Sequence, residues 1–416
     1  MNFPKINAER VWQRHMELAR IGATAGGGVH RLALSDLDIE AHCQMNKWAR
    51  ARGFSVELDA IGNMFIRRPG ALNGADTVAV ASGSHTDTQP FGGRFDGALG
   101  VLAAFEALEA FEDQGLETLR PVEVAIWNNE EGARFMPGLS GSAVYTGALG
   151  LDDMLACTDS DGVTMQSCVE RLHAAIPDAE KRELGQPYAG FVEAHIEQAT
   201  LLEEAGNTIG VITDIQGNRR FEVEVLGEAA HSGTTPRARR KDAFISATNI
   251  ATALRQHFEA NDPDDIARFT IGIFNAYPGA KSIVPGKVEF FIDFRHPSST
   301  TLKELGDAIS VIAKANQGPC AAIVREVSSA APEPFADEII NKVAAAAERH
   351  GYGNQRMISC AGHDARFLSR LCPSGMVFIP CKEGVSHNEK ESAEPADVAA
   401  AAQVISDVLL EMAQQR

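Results

Sequence analysis

The sequence lacks any long apolar run. No stretch approaches the roughly 18 to 20 apolar residues of a membrane span. The opening MNFPKINAERVW has no apolar core behind a basic segment, so no secretory signal is expected. Cysteine is scarce and unpaired. The seven residues Cys43, Cys157, Cys168, Cys320, Cys360, Cys372 and Cys381 are scattered, odd in number and without a C-x-x-C. That usage predicts reduced thiols in a cytoplasmic protein, not a disulfide or zinc-knuckle framework. Positive charge is also in short supply: 38 Lys and Arg stand against 56 Asp and Glu, a net charge of -18. Nucleic acid and anionic membranes need a basic footprint, so neither is expected as the main partner. A local Arg can still bind a small anionic substrate. There is no internal repeat and no low-complexity segment.

What is present is a long chain with alternating element types. At 416 residues it exceeds one ordinary core, and two domains are expected. Helices are predicted over 7–21 and 35–52, with Ser35 as N-cap and Gly53 as the stop. Short strands follow at 54–58 and 64–67, then a buried strand at 77–81. An amphipathic helix is predicted at 98–111, with Leu99, Leu102, Phe105 and Leu108 on one side. Further strands are expected at 122–127, 191–196 and 208–213, giving an α/β layer with a mixed, largely parallel sheet flanked by helices. From 220 the pattern becomes strand, helix, strand, strand, helix, strand: 220–226, 242–258, 269–274, 288–295, 302–315 and 321–327. This is the ferredoxin-like order of a compact α+β insert. The expected organisation is therefore a catalytic domain over 1–212 and 330–416 with an inserted domain at 213–329. Helices resume at 335, strands follow near 357 and 376, and a last helix runs from 395 to the end.

The chemistry-bearing residues cluster at predicted strand ends. In Ser84-His85-Thr86-Asp87-Thr88-Gln89-Pro90-Phe91-Gly92-Gly93-Arg94-Phe95-Asp96-Gly97, His85 and Asp96 are metal-ligand types, and the intervening glycines let the backbone fold so that both converge. Asp87 is placed to hold the second imidazole nitrogen of His85. Glu130 and Glu131 follow a buried strand; one can bind a metal while its neighbour takes a proton from water. A solvated acidic pair is the bland alternative. His195 lies inside an apolar strand, where a lone His is more often a hydrogen-bonded core residue than a ligand. His387, flanked by Gly and Ser in a loop, is better suited to an open position. Jointly, His85, Asp96, Glu131, His195 and His387 are too many for one tetrahedral zinc with an open position, and suit two metals sharing a carboxylate.

The motifs GSHTDTQPFGGRFDGALGV, NNEEGARF, EAHIEQ, GEAAHSGTTP, IDFRH, AGHDA and GVSHNEKE, in this order, resemble the amidase/carbamoylase branch of the co-catalytic zinc peptidases. That branch contains N-carbamoyl-L-amino-acid hydrolases, β-ureidopropionases and allantoate amidohydrolases. The resemblance spans most of the chain. It implies a catalytic domain with two metals, Zn or alternatively Mn, Co or Ni, and an inserted lid that forms a homodimer contact. By the same resemblance Asp96 bridges the metals, His85 and His195 complete one site, Glu131 and His387 complete the other, and Glu130 is the general base. It assigns His231 to the partner subunit's active site as an oxyanion donor and Arg295 to the substrate carboxylate. Gln198 becomes a substrate contact near the metals, and His363 either a further contact or a structural residue.

Some positions depart from the family pattern. Ser282 stands where an Asn helps to bind the substrate carboxylate, with Lys281 beside it; Cys360 replaces a small Gly, and Glu389 a Pro. A hydroxyl is shorter and offers one donor. Gln89-Pro90 leans toward carbamoylase or ureidopropionase and away from allantoate hydrolase. The expected activity is therefore metal-dependent cleavage of a linear amide or ureido C–N bond in a small carboxylated substrate, best an N-carbamoyl amino acid. An N-acyl amino acid or dipeptide is the alternative within the fold, and a non-catalytic binding protein the alternative outside it. Retention of all five candidate ligands and Glu130 weighs against the latter.

Overall fold

The computed structural model describes residues 3–72 and 77–415. The chain forms two compact units, Met1–Thr213 with Phe335–Arg416, and Asp214–Pro334. The second unit runs past the expected boundary at 329. Its last long strand continues to Ala330, and Glu333–Pro334 then pair with Ile215 and Asp214.

The first unit is built on a mixed sheet. Four neighbouring strands, Ser374–Ile379, Tyr188–Ile196, Ala79–His85 and Val122–Trp127, run parallel in that order. Ile209–Ile215 joins one side antiparallel, and Met64–Arg68 and Ser55–Leu58 continue the other. The parallel strands are almost wholly buried, in keeping with their predominantly apolar or small residues, and even Glu123 and Glu193 within them are covered.

The helix Ala98–Asp113 overturns a sequence expectation. Its 3.6-residue apolar spacing predicts an exposed side, yet the helix is buried all round to Phe111, including Glu106 and Glu109. Those carboxylates turn away from the sheet and are neutralised by the first helix, Ala8–Leu18. Arg10 Nε lies 2.7 Å from Glu106, and Arg14 Nη2 lies 2.5 Å from Glu109. A buried acid is tolerable only when paired in this way. Pro395–Ala413 packs beside the same helix, with Pro near the start of its first turn. It stops at Ala413; Arg416, in the segment expected to be helical, lies outside the described residues. The helix Met165–Ala175, capped by Thr164, was not anticipated from the sequence.

The second unit has the expected order. Gly217–Leu226, Arg268–Tyr277, Lys287–His296 and Ala321–Ala330 form an antiparallel sheet, with Lys287–His296 and Gly217–Leu226 central. Burial alternates strictly along Lys287–His296, so Val288, Phe290, Ile292 and Phe294 face inward. They meet Ile250 and Leu254 of the helix Ala243–Asn261 and Leu302 and Ile309 of Ser299–Asn316. Each such side chain contributes about 1.5–3 kcal/mol of burial energy.

One close approach holds the parallel strands in place. Gly83 pairs with Ala125, and a Cβ at Gly83 would lie 1.8 Å from the Ala125 carbonyl oxygen. Gly83→Ala should therefore force the two strands apart and destabilise the protein by about 1–3 kcal/mol or more. Urea unfolding followed by circular dichroism measures this, and an unchanged midpoint would contradict the close packing.

Candidate metal centre

All four parallel strands end at the same edge of the sheet. His85 is the last residue of Ala79–His85, and Glu130 and Glu131 follow Val122–Trp127. His195 lies near the end of Tyr188–Ile196, and His387 follows Ser374–Ile379. Loops leaving the carboxyl ends of parallel strands must gather there. Asp96 arrives on the loop before the helix Ala98–Asp113. That loop turns at Gly97, where φ is +66° and a Cβ would strike the His85 ring at 2.4 Å. Only glycine fits both conditions.

The structure brings the five expected ligand types together, with Asp96 between two groups. Its Oδ1 lies 3.0 Å from His195 Nε2 and 3.7 Å from His85 Nε2. Its Oδ2 lies 3.3 Å from His387 Nε2, which is 3.5 Å from Glu131 Oε2. Within each group, His85–Asp96–His195 and Asp96–Glu131–His387, the ligand atoms lie within 4.8 Å of one another. Glu130 Oε2 stands 3.5 Å from His85 Nε2, so the candidate base borders the first group.

The surroundings suit cations. His85 Nδ1 lies 2.9 Å from the Asp87 carbonyl oxygen and His195 Nδ1 lies 2.9 Å from that of Ile196. A carbonyl only accepts, so each Nδ1 carries a proton, and in the neutral ring each Nε2 turns a lone pair inward. His85 Nε2 is buried and has no hydrogen-bond partner among the described residues. It is an acceptor without a donor, as a ligand for an absent cation would be. Asp87 thus does hold the second imidazole nitrogen of His85, and it does so through its main chain. Its main-chain oxygen, not its carboxylate, holds His85, while the carboxylate accepts the backbone N–H groups of Glu130 and Glu131, each at 3.2 Å. The carboxylate, 3.7 Å from His85 Nδ1, thus fixes the acidic pair beside the imidazole.

Gln198, in a left-handed conformation at φ 60°, donates from Nε2 to Asp96 Oδ2 and Ser386 Oγ, each at 3.0 Å. It therefore stands beside the shared carboxylate. His363 does not offer an open substrate contact. It is buried, its Nε2 lies 2.9 Å from Ser359 Oγ, and its ring sits edge-on to His195 at 4.5 Å between centroids. Its position makes it a packing support for the His195 ring.

His231, Ser282 and Arg295 belong to the second unit. His231 is exposed, and its Nδ1 accepts the N–H groups of Gly233 at 3.1 Å and Thr234 at 3.2 Å, which leaves the proton of the neutral ring on Nε2. It pairs with Ile283, next to Ser282, whose carbonyl accepts the Ser232 N–H at 3.0 Å. Arg295 is not an unoccupied clamp: its Nε and Nη2 donate to the two Asp293 oxygens at 3.1 and 3.2 Å. Arg220 Nε reaches the same carboxylate at 3.2 Å.

Sequence reasoning missed the supports. Glu391 accepts the backbone N–H groups of Phe95 at 2.8 Å and Asp96 at 3.0 Å and the hydroxyl of Ser386 at 3.3 Å, tying two ligand loops together. Gln89 holds Glu131. Glu391 is one of several acids in its loop and carried no local signal, and Gln89 stood out only as part of the Gln89-Pro90 pair.

The electrostatics follow from burying acids together. Burial disfavours an ionised Asp96, but hydrogen bonds with His195 and His387 overcome this and hold it well below the carboxylate range. Burial, then Glu131 and Asp364, push Glu130 well above it. Burial and Asp96 raise Glu131 to about 7, and burial raises Glu391 to about 8. Hydrogen bonding to Asp96 raises His387 to about 9; burial opposes the same interaction at His195, which still rises to about 9. Groups raised in this way stabilise the fold below their unfolded values and lose that contribution as pH climbs through the folded ones. The chelator-treated protein should therefore melt at a lower temperature at pH 9 than at pH 7. Added divalent cation should reduce the difference, because bound cations replace the protons. Equal melting temperatures at both pH values without metal would contradict this electrostatic picture.

The comparisons with known proteins agree with this geometry. Residues 81–411 match the family described as peptidase family M20/M25/M40. The chain is 34% identical over 415 residues to an N-carbamoyl-L-amino-acid amidohydrolase of Rhizobium meliloti, covering 99% of this chain and 97% of that protein. It is 32% identical to an allantoate amidohydrolase of Bacillus subtilis, covering 95% of each. A crystal structure of an amidase of the hydantoinase/carbamoylase family from Burkholderia multivorans superposes with a TM-score of 0.89 at 38% identity, covering 99% of both chains. A buried aspartate shared by two ligand groups, at the carboxyl edge of this sheet, is thus found in a hydrolase that belongs to peptidase family M20/M25/M40, in its amidase/carbamoylase branch.

Proposed function

We propose that the protein hydrolyses the ureido C–N bond of an N-carbamoyl amino acid, giving the amino acid, carbon dioxide and ammonia. The observation that carries this is Asp96, which turns one oxygen to each of two ligand groups while Glu130 stands alongside. Names of relatives at 32–34% identity favour a ureido substrate. His85, His195 and Asp96 would hold one divalent cation, and Asp96, Glu131 and His387 a second. The mixed nitrogen and oxygen donors suit Zn, Mn, Co or Ni. When bound, the cations would lower the pKa of site water and polarise the substrate carbonyl.

The chain's own residues supply the rest. A buried carboxyl raised above its usual range, like Glu130, is suited to take a proton from the attacking water and pass it to the leaving nitrogen. His231 would donate from Nε2 to the oxyanion as it develops, the orientation that its Nδ1 contacts favour. For the substrate carboxylate, Asp293 orients the Arg295 guanidinium while Arg220 shares the same carboxylate, so two guanidiniums gather where an anion would bind. Gln198 and Ser282 are the remaining candidates for substrate contact.

A homodimer with His231 donated across the interface is part of the same reading. It has support in the edge strand Arg268–Tyr277, paired on one side only, and in exposed Ile273, with Phe244 and Ile245 likewise exposed at the start of the unit's first helix. A cytoplasmic setting accords with seven free cysteines. Among the described residues no helix is long and apolar enough to cross a membrane.

Ammonia released with the amino acid from an N-carbamoyl substrate is the direct test, since cleavage of an N-acyl amino acid releases none. Chelation should abolish turnover, and Glu130→Gln should lower kcat by about 10²–10⁴-fold while metal content stays the same. Full rate after either change would sink the mechanism. His231→Ala should lower kcat by roughly 10²–10³-fold and leave the melting temperature alone, because the ring is exposed. A comparable loss of folding would make it a structural residue.

A further inference from the structure

Glu131 is held in a way that the other candidate ligands are not. The buried imidazoles are oriented by main-chain carbonyls of Asp87 and Ile196, and the Asp96 backbone by Glu391. The Glu131 carboxylate is gripped at both oxygens by one residue. The Gln89 backbone N–H donates to Oε1 at 3.1 Å, and the Gln89 side-chain amide donates to Oε2 at 2.9 Å. The same amide reaches the Glu131 main-chain oxygen at 3.2 Å, which uses its second hydrogen. Both the plane of the carboxylate and the position of its backbone are thereby set.

Residue 89 is itself anchored. The Thr88 N–H donates to the carbonyl of buried Arg31 at 2.8 Å, the Gln89 carbonyl accepts from Gly92 at 3.0 Å, and Pro90 restricts the backbone before it. A neutral amide suits this task. It orders an anion without cancelling its charge, whereas Lys or Arg would compete with a cation for it, and Glu would repel it.

We propose that Gln89 is a positioning residue that sets the cation affinity of the Asp96–Glu131–His387 group and leaves that of His85–Asp96–His195 alone. This rests on the two-cation reading above. Its consequence is a graded centre, in which one site is tuned by a single side chain on the loop between His85 and Asp96.

The test is metal titration of the full chain. Protein stripped with a chelator is refilled with Zn²⁺ in competition with a chromophoric chelator, for wild type, Gln89→Met, Gln89→Glu and Glu131→Ala. Met keeps the length and removes the donors; Glu keeps the shape and adds a like charge. Wild type should bind in two steps, and Glu131→Ala identifies the step that belongs to its group. Gln89→Met should weaken that step by about 10–100-fold and leave the other unchanged, with Gln89→Glu weaker still. Turnover of Gln89→Met should return to the wild-type kcat at high Zn²⁺ with KM unaltered. Melting curves of the metal-free variants matching wild type would show that the loop is folded. A wild type that binds one cation overturns the two-cation reading itself. Two steps in wild type that both Gln89 variants leave untouched, or weaken equally, overturn the role of Gln89 alone.

Discussion

The centre depends on keeping one buried carboxylate ionised among several that resist ionisation. Asp96 is buried, and so are Asp87 and Glu391, while Glu130 and Glu131 stand next to it largely covered. Left alone, such a crowd would protonate; burial and mutual repulsion raise Asp87, Glu130, Glu131 and Glu391. Asp96 escapes because imidazoles face both of its oxygens. The fold therefore concentrates negative charge at the sheet edge and arranges neutral or cationic donors around one residue. Such a distribution is suited to holding protons that a divalent cation would displace. The parallel strands matter because they alone deliver four loops to the same place without a long connection crossing the site.

Much of this was legible in the sequence, for identifiable reasons. Strand positions could be read from apolar runs ending at Ala81, Trp127 and Ile379, so gathering of the loops followed from the α/β pattern, although the first strand extends to His85. The insert was legible because Lys287–His296 alternates cleanly, which only a half-covered sheet produces. What could not be read were partnerships between distant residues. Glu106 and Glu109 mark an exposed helix face by local rules, and only the arrival of Arg10 and Arg14 from far earlier in the chain makes burial affordable. The two roles of Asp87 were likewise indistinguishable, since carbonyl and carboxylate both lie two residues from His85. For His363 the resemblance left a substrate contact and a structural role open, and only the packing of its ring against His195 favours the second. Gln89 and Glu391 act through partners 42 and 295 to 296 residues away in sequence.

The second unit carries a different electrostatic solution. Arg295 lies on the polar side of its strand with its counterion two residues back, and Arg220 stands opposite Asp293 in the register. An isolated guanidinium would bind many anions and wander among rotamers. One held flat by its own carboxylate is preorganised, and the second arginine prevents that carboxylate from neutralising it. The hairpin pairing His231 with Ile283 fixes another polarity in the same spirit, since Nδ1 is committed to two backbone donors. Arg295 and His231 are thus both oriented by neighbours within the second unit.

Backbone strain at the centre points the same way. Asn129, Gln198 and His387 are non-glycine residues with φ of 54°, 60° and 52°, and each lies just past one of the parallel strands or in the loop that follows it. Such conformations cost on the order of 1–3 kcal/mol each and persist only where surroundings over-determine them. Here the determinants can be named. The Asn129 side chain donates to the carbonyls of Phe135 and Pro137 and to Ser140, Gln198 is tied to Asp96 and Ser386, and the loop bearing His387 is tied to Asp96 through Ser386. Two of these three turns therefore share Asp96 as a partner with the centre they border. Releasing Asp96 would remove both the electrostatic pivot and the hydrogen bonds that hold two of these loops in their uncommon shape.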